Sequence, residues 1–262
     1  MRGAAERFTL TVLGAGPAYT NRPGSSGAAY LVQTRSTSLL LDLGQGSFPR
    51  LAAAIEPSAL DAVVVSHLHP DHFIDLVPLR HYLFYEFRPP RRVRVIAPAG
   101  LGDRVDALHA TPGFTSASLD VEAFPNGTDA PVAVGDLTVE ARRVTHTDDS
   151  HAVRIARVGA EGPGLVYSGD CGRAGDLAPL IRPGDALLVE VSFGVGPVPA
   201  DAQHLDAPAI ADLVRARQPG LVLLTHLQMG FDGPAAVSLV AAATEAPVRL
   251  VEPGDVIDLP RS

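Results

Sequence analysis

Short apolar runs separated by turn residues dominate the chain. Such runs, bounded by Gly, Pro or Asp, are typical of buried β-strands. They lie at residues 8–13, 29–32, 39–41, 62–65, 93–97, 165–167, 186–189 and 221–224. At Leu137, Val139 and Ala141 apolar and polar positions alternate instead, which predicts a strand with one face in water.

Helical patterns lie between these runs. The clearest covers residues 207–217, where Ile210, Leu213 and Val214 recur at helical spacing after Pro208. A second pattern follows Pro234, and a third runs from about residue 70 to 87. Because no composition break resembles a linker, we expect one α/β domain over residues 1–262.

The two halves of the chain echo each other. In the first half a strand ends at Asp42, a helix follows, and the next strand leads into His67. In the second half a strand leads to Asp170, a helical stretch follows, and the next strand ends at Glu190. Ligand-binding and catalytic groups in layered α/β folds gather at strand ends, so both places are candidate parts of a site.

Composition narrows the class of protein. With 46% hydrophobic and 19% charged residues, 25 Gly, 23 Pro and one Cys, the chain is neither disordered, collagen-like nor a disulfide scaffold. All 21 basic residues are Arg, so no chemical step can use a lysine. The net charge of −8 opposes broad binding to the phosphates of extended nucleic acid.

The sequence also predicts a cellular location. There is no apolar run of ~18 residues that could span a membrane, and the first ten residues, MRGAAERFTL, contain no apolar signal segment. The single Cys171 cannot form an intramolecular disulfide. We therefore expect a cytoplasmic protein without membrane contact.

The strongest chemical signal directly follows the run at 62–65. His67, His69, Asp71 and His72 fall within six positions, a density of metal-type donors that suits a two-metal centre better than a chance cluster of surface histidines. His146, Asp170 and His226 follow other predicted strands. Each alone could be a packed histidine or a turn aspartate, but their common placement favours one shared site.

This series resembles the metallo-β-lactamase superfamily, with its five motifs in the family order. The first motif appears as Leu41-Asp42-Leu43-Gly44, and the second as the histidine cluster. The third, fourth and fifth are His146, Ser168-Gly169-Asp170 and Leu223-Leu224-Thr225-His226. The resemblance covers the whole chain and implies a four-layer αββα sandwich built from two similar halves, which would explain the echo.

The resemblance also implies roles for these residues. It assigns His67, His69 and His146 to a first divalent ion and Asp71, His72 and His226 to a second, with Asp170 bridging both. Asp42 would orient the histidine loop without binding metal. Two Zn²⁺ ions per chain are expected, with Mn²⁺ and Fe²⁺ as alternatives.

Several branches of the superfamily do not match. His69 stands where the di-iron oxidoreductases have a carboxylate, which favours hydrolysis. The only Cys, Cys171, lies beside Asp170 and not where the lactamases with a Cys ligand need it. The segment around Leu13-Gly14-Ala15-Gly16-Pro17 resembles the branch of small phosphodiesterases and tRNA 3′-processing nucleases.

His204 is the residue that links the chain to that branch. It stands in Gln203-His204-Leu205-Asp206, where the branch has a His-X-Thr motif, so Asp206 departs from the pattern. We expect His204 to protonate the leaving alkoxide or stabilise the transition state. The alternative places His204 outside the site at a helix start, with Asp206 as the N-cap.

Only 24 positions separate His146 from Asp170, and this interval carries the long tRNA-gripping arm in bacterial tRNA-processing relatives. The predicted function is therefore a dinuclear-metal phosphodiesterase for a small or cyclic phosphodiester, acting through a metal-bridging hydroxide that Asp71 steers. A lactonase or thioesterase, and a tRNA 3′-processing-like endoribonuclease without the arm, remain alternatives. The expected partner is a small anionic substrate, and a homodimer stays open.

The other histidines and several arginines are expected to lie outside the set of metal ligands. His151 is expected at a loop edge and His81 in helix packing, and His109 has no other candidate ligand or catalytic residue near it in the sequence. Arg22 and Arg154 are candidates for contact with a substrate anion. The cluster Arg88, Arg91, Arg92 and Arg94 is expected to be a solvated turn.

Overall fold

Two mixed β-sheets form the centre of the molecule. The structure is a computed structural model that describes residues 7–125 and 131–260. The expectation that the chain has no signal segment used the first ten residues, of which residues 1–6 lie outside the described residues. The strands are β1 (Thr9–Gly14), β2 (Ala29–Gln33), β3 (Ser38–Leu41), β4 (Ala62–Val64), β5 (Val93–Ala97), β6 (Leu119–Ala123), β7 (Val132–Val134), β8 (Leu137–Val144), β9 (Ser150–Arg157), β10 (Leu165–Tyr167), β11 (Ala186–Glu190), β12 (Leu221–Thr225), β13 (Val248–Leu250) and β14 (Val256–Asp258).

The helices are α1 (Phe48–Ala54), α2 (Pro70–Phe73), α3 (Leu76–Tyr85), α4 (Leu101–His109), α5 (Ala207–Arg217) and α6 (Gly233–Ala241). Short 3₁₀ turns lie at Pro57–Ala59, Thr115–Ala117 and Ala174–Leu177. No helix in the described ranges is long and apolar enough to cross a membrane.

The two sheets repeat one plan. Within the described residues each has seven strands, in the orders β14-β1-β2-β3-β4-β5-β6 and β13-β12-β11-β10-β9-β8-β7. In the first sheet β3 to β6 run parallel and β1 to β3 antiparallel. In the second, β10 to β13 run parallel and β7 to β10 antiparallel. The predicted echo between the halves is therefore confirmed as a repeated topology.

Three apolar layers hold the sandwich together. The middle layer lies between the sheets and takes alternate residues of both, such as Tyr30, Leu39 and Val153. The outer layers pack each sheet against its own helices, with Leu40 among the residues of one and Leu187 of the other. Because successive strand residues point to opposite faces, each sheet is buried on both sides. The predicted four-layer αββα sandwich is confirmed.

The predicted helix at about 70–87 is interrupted. The structure has α2 and α3 there, with Asp75 between them. The N–H of Asp75 donates to Leu43 O at 3.0 Å, and its carboxylate accepts the Phe48 N–H at 2.8 Å. These bonds tie the chain to the segment after β3, so the helix stops one turn after the histidine loop.

A buried ion pair fixes β9 in the second sheet. The guanidinium of Arg154 binds Asp185 with two bonds of 2.8 Å, and both side chains are buried. Asp185 also accepts the N–H groups of Gly164 and Arg182. Arg154 is therefore bound to a carboxylate inside the fold, and the idea that it meets a substrate anion is wrong.

We predict that Asp185→Ala lowers the free energy of unfolding by about 3–5 kcal/mol, because it leaves the Arg154 charge buried and unpaired. Urea denaturation followed by circular dichroism measures this. Asp212→Ala is the matched control, since its pair with Arg215 is exposed and should contribute ~0–1 kcal/mol. Equal effects of the two substitutions would contradict the assigned role of the buried pair.

Candidate metal centre

The histidine loop leaves the end of β4 and enters α2 within a few residues. His67 lies in the loop, and His69 precedes Pro70, the first residue of α2. Because Pro70 starts the helix with its fixed φ angle, Asp71 and His72 fall in its first turn. The rings of His67 and His72 are fully buried, with centroids 4.1 Å apart, while His69 is exposed at the edge.

The structure brings all seven sequence-predicted donors into two adjoining clusters. The first contains His67, His69, His146 and Asp170, and the second contains Asp71, His72, Asp170 and His226. Within each cluster the donor atoms lie within 4.8 Å of one another. Asp170 is the residue that both clusters share.

Each oxygen of Asp170 faces a different cluster. Its Oδ2 lies 3.7 Å from His67 Nε2 and 3.6 Å from His146 Nε2. Its Oδ1 lies 3.3 Å from His72 Nε2 and 3.5 Å from His226 Nε2. One carboxylate is therefore placed between two sets of imidazole nitrogens, as the bridging role requires.

Buried atoms without hydrogen bonds show that the site fits cations. His67 Nε2, His72 Nε2 and Asp170 Oδ1 are buried and have no hydrogen-bond partner among the described residues. Buried polar atoms are rarely left in this way, because the lost solvation is costly. Imidazole nitrogens and carboxylate oxygens are the donors that Zn²⁺ and similar ions bind, so two divalent ions would satisfy these atoms.

The outer nitrogens of three histidines are anchored. The His72 Nδ1–H donates to Asp42 Oδ2 at 2.7 Å, and the His146 Nδ1–H donates to Gln203 O at 2.8 Å. His226 Nδ1 lies 3.2 Å from Ser192 Oγ. Each anchor turns the Nε2 atom toward Asp170, which prepares the ring for a metal.

Asp42 accepts four hydrogen bonds at the base of the site. Besides His72 they come from Ser66 N at 2.7 Å, Ser66 Oγ at 2.8 Å and Tyr167 OH at 2.6 Å. The structure places Asp42 outside both donor clusters, against the start of the histidine loop. Burial, followed by the charge of Asp42, raises the pKa of Tyr167 well above its usual range, so the phenol stays a donor.

Only glycine fits at position 44, the glycine of the first motif. A β-carbon on Gly44 would lie 1.8 Å from Asp71 O, a distance that no side chain could tolerate. The motif therefore brings the segment after β3 against the backbone of Asp71. Asp42 and Gly44 thus position two different residues of the second cluster, His72 and Asp71.

We predict that Asp42→Asn weakens zinc binding by about 10–100-fold, because His72 loses its charged anchor while every donor remains. Competition with a chromophoric chelator measures the affinity. Asp61→Asn is the control, since the only hydrogen bond of the Asp61 carboxylate in the described structure is from Ser38 N, and Asp61 belongs to neither donor cluster. Unchanged zinc affinity in Asp42→Asn would contradict the anchoring role.

The pKa values of the histidines at the centre are shifted in different directions. Burial lowers the pKa of His67, and neighbouring His72 lowers it further. Burial is also the largest cause that lowers the pKa values of His69 and His146. Burial acts in the same direction on His72, but the charges of Asp170 and Asp42 outweigh it and raise its pKa well above the usual range.

We predict that metal binding at neutral pH releases a proton from His72. A ligand imidazole must be neutral, so the metal displaces this proton and apparent affinity rises with pH up to the raised pKa. Calorimetric zinc titrations in buffers of different ionisation enthalpy count the protons. In Asp42→Asn the release should shrink, because the pKa of His72 falls. Zinc affinity independent of pH between about 6 and 8 would contradict this assignment.

Sequence reasoning assigned no role to Glu190, which the structure places beside His204. Glu190 ends β11 and is fully buried. Its Oε1 accepts the His204 Nδ1–H at 2.9 Å and the Cys171 N–H at 3.0 Å, and its Oε2 accepts the Ser192 N–H at 3.0 Å. The only sequence signal was the echo between the two strand ends.

His204 lies at the edge of the metal centre, with its ring centroid 4.8 Å from that of His146 and its Nδ1 3.9 Å from Asp170 Oδ2. Burial lowers its pKa, but the hydrogen bond and charge of Glu190 and the charge of Asp170 raise it to about 8. Since Nδ1 is held by Glu190, Nε2 is the atom left to act on a substrate.

Asp206 does not take part in this arrangement. Its Oδ1 accepts the Ala209 N–H at 3.0 Å and caps α5. Asp206 is the N-cap of α5, as the alternative expected, but His204 lies beside Asp170 and His146 and not outside the site. Within the described residues Asp206 makes no hydrogen bond to His204, whose Nδ1 is bound by Glu190.

The remaining histidines lie outside the two clusters. His151 is buried against the Phe124 ring with 4.3 Å between centroids, and not at an exposed loop edge as expected. His81 bonds to Val77 O on its own helix, and His109 stacks on Phe114.

The chain is similar in sequence to a known family and to several known proteins. The chain matches the model of the beta-lactamase superfamily domain over residues 39–227. It is 30% identical over 268 residues to the uncharacterised protein Rv1339 of Mycobacterium tuberculosis, covering 99% of this chain and 95% of that protein. It is 27% identical over 232 residues to YhfI of Bacillus subtilis, described as a probable metallo-hydrolase, covering 83% and 86%. A 28% identical match to ribonuclease Z of Mycobacterium marinum covers 62% of each chain.

Solved structures show the same fold. The metallo-beta-lactamase fold protein YhfI of Bacillus subtilis superposes with a TM-score of 0.83 at 21% identity, covering 96% of this chain and 99% of that chain. A diphosphatase from the PhnP family gives 0.73 at 17%, covering 96% and 98%. Zn²⁺-bound PqqB from Methylobacterium extorquens gives 0.71 at 15%, covering 96% and 100%. Together with the family model and the donor geometry, these matches show that the chain belongs to the metallo-β-lactamase superfamily.

Proposed function

We propose that this metal-dependent hydrolase is a phosphodiesterase for small or cyclic phosphodiesters, with two zinc ions per chain. The observation that carries the proposal is His204, held by Glu190 at the edge of both donor clusters with a pKa of about 8. Bound ions would supply Lewis acidity and a hydroxide nucleophile at neutral pH. His67, His69 and His146 would hold one ion, Asp71, His72 and His226 the other, and Asp170 both.

His204 supplies the proton that the leaving group needs. With its pKa near 8, most of its imidazole is protonated at neutral pH, although bound cations would lower that value. An alkoxide is a poor leaving group, so proton transfer from Nε2 to its oxygen lowers the barrier. Glu190 keeps Nδ1 occupied and the ring in place, and therefore acts as a positioning residue.

Asp71 has a complementary task. Burial raises the pKa of its carboxyl, but the hydrogen bond from His226 and the nearby His72 reverse the effect and leave it lowered. Its Oδ2 lies 3.3 Å from His226 Nε2. The ionised carboxylate can therefore accept a hydrogen bond from the attacking water and fix its direction.

Charge and topology favour a small substrate. The interval between His146 and Asp170 contains only β9, β10 and their connection, which leaves no arm to grip a tRNA. Two divalent cations would outweigh the charges of Asp71 and Asp170 and attract an anion locally. The net charge of −8 repels long polyanions, so it limits the size of the substrate more than its sign.

A substrate panel tests the proposal. Zinc-loaded protein is assayed on bis(p-nitrophenyl) phosphate, 2′,3′- and 3′,5′-cyclic nucleotides, a short RNA, acyl lactones and a thioester. We expect turnover of the aryl diester and at least one cyclic nucleotide, with little cleavage of RNA. Lactone or thioester turnover without diester cleavage would overturn the proposal and establish the alternative carbon–oxygen or carbon–sulfur ester hydrolase.

A further inference from the structure

A cavity of about 260 Å³ opens at a loop that contacts the backbone of two residues of the second donor cluster, Asp71 and His226. It lies between the loop that joins β1 to β2 and the residue that follows Gly44. Its lining consists of residues 17–20, Ser25, Ser26 and Gln45, none of which carries a charged side chain. An uncharged cavity therefore lies next to a charged centre, and the two would recognise different parts of one molecule.

The cavity is joined to the centre through backbone contacts. A β-carbon on Gly27 would lie 2.5 Å from Gln45 Oε1 and 2.7 Å from Asp71 O, so Gly27 packs against both the Gln45 side chain of the cavity wall and the backbone of Asp71. At the other end of the loop, Ala15 O accepts the His226 N–H at 3.0 Å. The loop is thus fixed against two of the donors.

The loop is also held in shape from within. The Gly16 N–H donates to Ser26 O at 2.9 Å, and Ser26 Oγ donates to Leu13 O at 2.9 Å. Gln45 Nε2 lies 3.3 Å from both Pro17 O and Ala18 O. These bonds hold the two ends of the loop together and fix its first half against Gln45, so the cavity exists before a ligand arrives.

The groups that remain free match a base and a sugar. Within residues 7–125 and 131–260 nothing donates to Gln45 Oε1, which can accept from an exocyclic amine or a hydroxyl. The hydroxyl of Ser25 is likewise without a partner in these ranges and lines the cavity. Tyr19 lines the cavity and is 68% exposed, and an exposed aromatic ring offers a stacking surface for a nucleobase.

We propose that this cavity binds the base and sugar of a nucleotide whose phosphodiester lies at the metal centre, with Tyr19 stacking on the base. This assignment rests on the proposed phosphodiesterase function and names its substrate class. The volume is slightly below the ~300–1,000 Å³ of sites that enclose a whole drug-sized ligand, which suits one nucleoside with its phosphate outside the cavity.

Kinetics of Tyr19 variants test the proposal. Tyr19→Ala should raise KM for the cyclic nucleotide turned over best by about tenfold or more, with kcat within about twofold, because the stack is lost. Tyr19→Phe keeps the ring and should resemble the wild type. Tyr85→Ala removes an exposed tyrosine from α3 and is the matched control. KM for methyl p-nitrophenyl phosphate, which has neither base nor sugar, should not change.

An unchanged KM for that nucleotide in Tyr19→Ala would overturn the proposal, as would an equal rise for methyl p-nitrophenyl phosphate. Binding of the corresponding nucleoside, which carries no phosphate, separates this inference from the proposed function. NMR titration should show binding that Tyr19→Ala abolishes, even if no diester is cleaved and the phosphodiesterase proposal fails. Diester cleavage without Tyr19-dependent binding of any of the four common nucleosides would leave the phosphodiesterase standing and reject the subsite.

Discussion

Asp170→Asn should lower bound zinc from about two ions per chain to one or fewer and reduce diester turnover to the background rate. Each Asp170 oxygen faces a different cluster, at 3.3–3.7 Å from the histidine nitrogens. The amide has one oxygen, so its NH₂ group would face the other cluster and repel a cation there. Metal analysis after dialysis, together with initial rates, measures both effects.

The control for this substitution is Asp149→Asn. Asp149 pairs with Arg143 at 3.0 Å and belongs to neither cluster, so zinc content and turnover should match the wild type. Circular dichroism checks that both variants are folded. Two tightly held ions and wild-type turnover in Asp170→Asn would show that Asp170 does not bridge the metals.

The second large effect is expected for His204→Ala. Loss of a general acid should lower kcat on a cyclic nucleotide by about 10²–10⁴, while zinc content stays unchanged because the seven donors remain. Glu190→Gln should give a smaller loss. It removes the charge that raises the pKa of His204, so the fall of kcat at high pH should begin at lower pH than in the wild type.

The choice of substrate distinguishes proton donation from a structural role. The p-nitrophenolate of bis(p-nitrophenyl) phosphate leaves without a proton, so His204→Ala should affect this substrate far less than a cyclic nucleotide. His81→Ala is the matched control, since His81 bonds to its own helix. Equal losses on both substrates, or loss of zinc from His204→Ala, would contradict the role as an acid.

Much of the centre could be predicted because its donors follow buried strands. Apolar runs located the strands, and the ends of parallel strands meet along one edge of a sheet. The spacing of His67, His69, Asp71 and His72 then located the histidine loop. Residues distant in sequence, such as His146 and His226, could be included because they follow strands in the same way.

Features that depend on contacts between distant residues were not predictable. Strand β9 has the sequence SHAVRIAR. Its two arginines argue against a buried strand, and only the structure shows that Asp185 neutralises Arg154. In the sequence Glu190 resembles any acidic residue at a strand end, and only the structure shows that His204, fourteen positions later, bonds to it. The break between α2 and α3 arises from bonds of Asp75 to Leu43 and Phe48, which no local pattern indicates.

The cavity belongs to the same class of feature. Its lining comes from a loop with little periodicity and from Gln45, and only the fold brings them together. Nothing in the sequence indicates which backbone atoms Gly27 and Gly44 approach. In the structure Gly27 and Gly44 both lie against Asp71 O.

A zinc titration of the metal-free protein tests the central claim most directly. Diester turnover is measured as zinc is added from zero to several equivalents, with bound metal quantified at each point. Two clusters joined by Asp170 predict negligible turnover without zinc and a maximum at about two bound ions per chain. Full turnover in the metal-free protein, or no diester cleavage with two ions bound, would contradict the account.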